Sequence, residues 1–131
     1  MGMHIEIEGE SDGKWVELAH FQTTGVMQTR ESHGFWSCPA EYALQCVIEP
    51  WDSDWGYMPM TREQAEHALR VLMRLYAGFD DHRSDRTRKE QRAPKDDERA
   101  EYLAACARQL VNVINWMDEH QGAPVRVQHQ T

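Results

Sequence analysis

Residues 49–60 read E-P-W-D-S-D-W-G-Y-M-P-M, with two Trp, one Tyr, three acids, two Pro and one Gly in twelve positions. This stretch divides the chain into two regimes. Before it the apolar residues alternate, and after it they recur at helical spacing, so the reading of its two flanks decides the fold class. Pro50 blocks continuation of a strand. Thr61, with Gln64 three residues on, has the spacing of a capping box and opens a helix.

On the N-terminal side, Tyr42–Glu49 (Y-A-L-Q-C-V-I-E) places Tyr42, Leu44, Cys46 and Ile48 on one side and predicts a strand. Residues 4–8, H-I-E-I-E, alternate strictly, with Ile5 and Ile7 opposite His4, Glu6 and Glu8. The cluster Gly9–Gly13 (G-E-S-D-G) is a turn, and Lys14–Phe21 continues as the second arm of a hairpin. The facing of that arm is ambiguous: Val16 and Leu18 share one side, while Trp15, Ala19 and Phe21 share the other. Gly25–Arg30 is a weaker strand candidate, and Glu31–Ala40 is a loop carrying Phe35 and Trp36.

On the C-terminal side, Ala65, Ala68, Leu69, Leu72, Leu75 and Tyr76 form one helical stripe, with Gly78 placed to end it. A second helix follows Pro94, capped by Asp96 or Asp97. It carries Leu103, Cys106, Ala107, Leu110, Ile114 and Met117 on one stripe and ends at Gly122; at about 25 residues it is near 37 Å long. Between the helices, residues 79–95 (F-D-D-H-R-S-D-R-T-R-K-E-Q-R-A-P-K) are almost devoid of apolar side chains and read as a mobile basic linker. Val125–Thr131 alternates briefly and is a candidate edge strand.

The expected architecture is a single α+β domain over residues 1–131. A small antiparallel sheet of three or four strands comes from the N-terminal half, with two antiparallel helices packed on one face. Leu69, Leu72, Leu75, Leu103, Leu110 and Ile114 are expected to meet Ile5, Ile7, Leu44 and Ile48 in the core.

At 131 residues the chain is long enough to bury a core without staples. Its three Cys are an odd count with no paired spacing, which reads as reduced thiols and a cytoplasmic protein. No apolar run approaches a membrane span.

Charge is distributed unevenly. Residues 1–60 hold ten acids against Lys14 and Arg30, a net of -8, whereas residues 61–131 hold twelve of each sign. Within the neutral half, Arg83–Lys95 has six bases and two acids, a net of +4. An acidic half repels polyanions and attracts basic partners.

Chemical motifs are weak throughout. Asp52-Ser53-Asp54 begins like a calcium loop, but Gly56 falls one residue early and Trp55 and Tyr57 occupy ligand positions badly. His33, Cys38 and Cys46 lack the paired spacing of a zinc site. Cys38 with His33 or His20 has no orienting motif for nucleophilic catalysis. No enzyme activity, cofactor or metal is therefore expected.

Trp51, Trp55 and Tyr57 beside Asp52 and Asp54 suit a partner-binding patch or a carbohydrate platform, or else a lid over the core. Together with Glu6, Glu8 and Glu49 they form an acidic surface matched to a basic protein: a toxin, a nuclease or a defence complex. The expectation is a non-enzymatic inhibitor or neutraliser of such a target. Small acidic chains of this class include toxin-immunity proteins and phage anti-CRISPR or other anti-defence proteins, by analogy of class only. The alternative is a regulatory module contacting nucleic acid through Arg83, Arg86, Arg88, Lys89, Arg92 and Lys95.

Overall fold

The computed structural model describes residues 4–22, 39–51, 56–77 and 95–130. Strands β1 (His4–Ser11) and β2 (Lys14–Gln22) form the expected hairpin. They are joined through Asp12 and Gly13, whose φ values of 54° and 77° are those of a two-residue turn that needs positive φ at both positions. Helix α1 (Pro39–Val47), strand β3 (Tyr57–Pro59), helix α2 (Arg62–Ala77), helix α3 (Lys95–Glu119) and strand β4 (Val125–Gln130) follow. The α+β class holds: a four-stranded antiparallel sheet in the order β2-β1-β4-β3 is covered on one face by helices.

Two segments depart from the sequence reading. Tyr42–Glu49 is not a strand: residues 39–47 are helical, and Cys46, expected on the core side, is exposed. Ala40, Ala43, Leu44 and Ile48 are all buried, a 3–4 spacing that the two alanines make easy to overlook. Pro39 supplies a fixed φ at the helix start, where no N–H is needed, and Glu41 lies in the first turn, at the positive end of the helix dipole. The C-terminal tail does form a strand, but an interior one: β4 lies between β1 and β3, and β3 takes the edge. The candidates Gly25–Arg30 and Phe35–Trp36, Gly78, and the linker through residue 94 lie outside the described residues.

The ambiguous facing of the second strand is resolved by a β-bulge. Ile7 pairs with Ala19 but Glu8 pairs with Glu17, so Leu18 is the extra residue and the alternation flips there. Ala19 and Phe21 point to the helices, whereas Trp15 and Glu17 join Glu8 and Glu10 on the outer face. At the edge, β2 is closed by Gln109 of α3. The backbone N–H of His20 donates to Gln109 Oε1 at 2.8 Å, and Gln109 Nε2 donates to the His20 carbonyl at 3.0 Å. That one amide occupies groups that would otherwise template a further strand.

The helices are set by caps and by one ion cluster. Gln64 N donates to Thr61 Oγ1 at 3.1 Å and Thr61 N to Gln64 Oε1 at 2.8 Å, the reciprocal pattern read from the sequence. Arg62 at the start of α2 grips Asp118 near the end of α3 through two hydrogen bonds of 2.5 and 3.1 Å, and also pairs with Glu66. The contact shows that the two helices run antiparallel. Ala65, Ala68 and Leu72 of α2 and Leu103, Cys106, Leu110, Val113, Ile114 and Met117 of α3 are buried against Ile5, Ile7, Phe21, Leu44 and Ile48; Leu69 is only half-buried. The side chains of Leu75 and Tyr76 lie outside those described.

Candidate functional site

The three described helices pack on the face formed by Ile5, Ile7, Ala19, Phe21, Val125, Val127 and Met58. Among the described residues no helix lies on the other face. Its rows follow from register: His20–Glu6–Gln128–Tyr57, then Glu17–Glu8–Arg126, then Trp15–Glu10. Among the described residues, Glu6, Glu8, Glu10 and Glu17 stand against the guanidinium of Arg126, so their part of the face carries a formal charge of -3 with His neutral.

Arg126 is the centre of this surface. Its Nε donates to Glu8 Oε1 at 2.9 Å. Its guanidinium carbon lies 3.8 Å from the ring centre of Trp15 and 3.7 Å from that of Tyr57. Trp15 on β2 and Tyr57 on β3 lie on opposite sides of β4 in the strand order, so the cation is clamped between the two rings. Stacking of this kind adds to the charge-assisted bond, and it fixes two large aromatic side chains that remain 37% and 50% exposed. Rigid, exposed aromatics lose little rotamer freedom when a partner covers them.

Of the residues expected to form the partner surface, Glu6, Glu8 and Tyr57 share this face. Trp51 does not: it packs against the core on the helix side, its ring 5.6 Å from that of His129. It serves as a lid, the third of the roles open to it. Glu49 is exposed beside Pro50 and Trp51, away from the sheet's outer face. Asp52, Asp54 and Trp55 lie outside the described residues, as do Arg83, Arg86, Arg88, Lys89 and Arg92. Lys95 begins α3, but its side chain is not among those described.

Trp15, Glu10, Glu17 and Arg126 were missed as site residues. The bulge hid Trp15 and Glu17, because a strict period of two groups them with the helix-facing Ala19 and Phe21. Glu10 continues the alternation of Glu6 and Glu8 but was read as part of the Gly9–Gly13 turn, and Arg126 was legible as the polar middle of the alternating triplet Val125-Arg126-Val127.

A second polar group lies under the helices. His129 on β4 is 3% exposed, and its Nε2 is 3.3 Å from Glu41 Oε2 of α1. Gln45 Nε2 donates to the other Glu41 oxygen at 2.7 Å. Burial pushes the Glu41 carboxyl above its ordinary value of 4.5, against the opposing pull of His129 and Gln45. The folded state therefore holds this proton more tightly than the unfolded chain. The stability so contributed is present below pH 4.5 and is lost as pH rises through the elevated pKa. Urea titrations in steps from about pH 4 to about pH 7 are expected to show Glu41→Gln losing less stability over that window than the parent. Parallel profiles would remove Glu41 as the cause.

No group of three or more His, Cys, Asp or Glu side chains among the described residues is arranged to hold a metal. No described helix is long and apolar enough to cross a membrane. Comparison with protein-family models, curated proteins and solved structures finds no match. The reading of this chain therefore rests on its own surface.

Proposed function

We infer that the chain is a non-enzymatic binding protein that docks a basic protein target on the outer face of its sheet and so inhibits or neutralises it. The observation that carries this reading is the Trp15–Arg126–Tyr57 clamp set among Glu6, Glu8, Glu10 and Glu17, on a sheet face that none of the described helices covers. Arg126 is already neutralised by Glu8, which leaves Glu6, Glu10 and Glu17 to attract lysines and arginines of a partner. The two rings offer apolar area at the centre of the patch, the usual place for residues that dominate binding energy. Complementary charge makes such an encounter fast and salt-sensitive. The class analogy with immunity and anti-defence proteins fits this mode of action and rests on charge and size.

The test is a capture experiment from host lysate at low and high salt, comparing the parent with E6K/E10K/E17K and with W15A/Y57A. One basic protein is expected to be retained stoichiometrically by the parent. Retention is expected to fall at least about tenfold in each variant, and to fall with salt for the parent. A retained protein that ignores both variants would bind elsewhere and overturn the assignment of the site.

A further inference from the structure

Among the described residues the two edges of the sheet are protected unequally. On one side the sheet ends in β3, three residues long, whose last, Pro59, has no N–H to offer. On the other it ends in β2, nine residues long. Which β2 groups point outward follows from the register. The positive φ values of Asp12 and Gly13 make a two-residue turn, and its flanking pair, Ser11 and Lys14, exchanges both hydrogen bonds. The next pair, Glu10 and Trp15, therefore exchanges none, and the N–H of Glu10 donates away from β2, to the Pro124 carbonyl at 3.0 Å. Alternation then turns the N–H and C=O of both Trp15 and Glu17 away from β1. His20 is turned the same way beyond the bulge, and there Gln109 takes both groups. Among the described residues none bonds to the backbone of Trp15 or Glu17 from that side, and Lys14–Glu17 is exposed throughout.

The two sides of this open stretch differ in charge. Trp15 and Glu17 lie on the outer face with Glu8 and Glu10, whereas Lys14 and the 39% exposed Val16 lie on the other. A strand laid here antiparallel puts directly opposed side chains on the same face. Its residues opposite Trp15 and Glu17 meet an indole and carboxylates, which suit lysine or arginine. The residue between them meets Val16, which suits an apolar side chain, and Lys14 repels a base on that side. A second copy fits poorly, since it would set two acidic outer faces edge to edge.

We propose that β2 is the docking edge for an extended segment of a basic partner protein, which pairs antiparallel with Trp15–Glu17 and places basic residues over the outer face and apolar ones beside Val16. The partner's charge rests on the docking function proposed above; the backbone pairing is separate from it and separately testable.

The probe is a capped hexapeptide, Lys-Val-Lys-Val-Lys-Val, titrated at low salt into the isotope-labelled chain, with backbone amide shifts and hydrogen exchange as readouts. Two isomers separate pairing from charge. One is methylated on the lysine backbone nitrogens, which face β2 in the proposed register, and the other on the valine nitrogens, which face away. The unmodified and valine-methylated peptides are expected to shift the Trp15 and Glu17 amides and slow their exchange. The lysine-methylated isomer is expected to bind at least about tenfold more weakly. Equal binding of the two isomers would overturn the pairing and leave docking by charge alone. No shift at Trp15 or Glu17 with millimolar peptide would overturn it too; in either case the lysate capture reports on docking by itself. Shifts at those amides that follow protein concentration without peptide would put a second copy on the edge and overturn the partner segment.

Discussion

Leu110→Asp is expected to leave no cooperatively folded protein. Leu110 is fully buried on α3, in one stripe with Leu103, Cys106, Val113 and Ile114. Removing the leucine forfeits burial worth about 2–5 kcal/mol, by comparison with large-to-small substitutions in packed cores. A carboxylate at the same place adds the cost of an unpaired charge away from water, several kcal/mol more, or the price of holding it protonated. The sum approaches or exceeds the whole stability of a typical domain, about 5–15 kcal/mol. The neighbouring residue supplies the control: Val111 is 40% exposed, and Val111→Asp should change stability by no more than about 0.5 kcal/mol. Circular dichroism melts of both variants decide the matter. A sigmoidal melt near the parent's midpoint for Leu110→Asp would mean that the face of α3 has been assigned wrongly.

The contrast between those two adjacent residues shows what the sequence made legible. In α3 the stripe is long, its period is regular and its end is marked by Gly122, whose φ is 85°; twenty-five residues sample the 3.6 repeat many times over. Helix α2 was legible for the same reason, with the added signal of Thr61 and Gln64. Helix α1 was not, because nine residues sample the period only two and a half times. In that window Tyr42, Leu44, Cys46 and Ile48 satisfy a period of two as well as Ala40, Ala43, Leu44 and Ile48 satisfy 3.6. Alanine buries little area, so it counts weakly in any apolar pattern, yet here Ala40 and Ala43 are completely buried and let α1 approach the core closely.

The candidate site was less legible than the fold, and for a geometric reason. Its carboxylates are local in sequence, so Glu6 and Glu8 were visible from the alternation of the first strand alone. Its aromatic clamp is assembled from residues 15, 57 and 126, on three different strands. No window of sequence contains that juxtaposition. It also depends on the bulge at Leu18, which has no strong signature in the residues around it.

The same sheet makes a sharper test at Gly9, where the largest effect on its helix-facing side is expected. Gly9 is paired with Val16 on one side and Val125 on the other, and the indole of Trp116 lies flat against the space where a side chain would stand. A Cβ added to Gly9 would come within 2.4 Å of Trp116 Cη2 and 2.5 Å of its Cζ3, closer than carbon atoms approach. Backbone preference argues the other way, since alanine is no worse than glycine in a strand and loses less freedom on folding. The steric term decides, because the ring cannot yield without leaving the stack it makes with His120, whose ring centre is 4.2 Å away, or opening a gap over β1. Gly9→Ala is therefore expected to cost about 1–3 kcal/mol, and Gly9→Val more, as overpacking does in cores. Trp116→Ala alone loses the packing of a half-buried indole, but in its presence Gly9→Ala should become neutral or stabilising. The two changes together should then be less damaging than the sum of each alone, with a coupling of about 1 kcal/mol or more from urea melts of the four proteins. Strict additivity would show that Trp116 does not occupy the space above Gly9, and with it the packing of α3 on the hairpin would have to be redrawn.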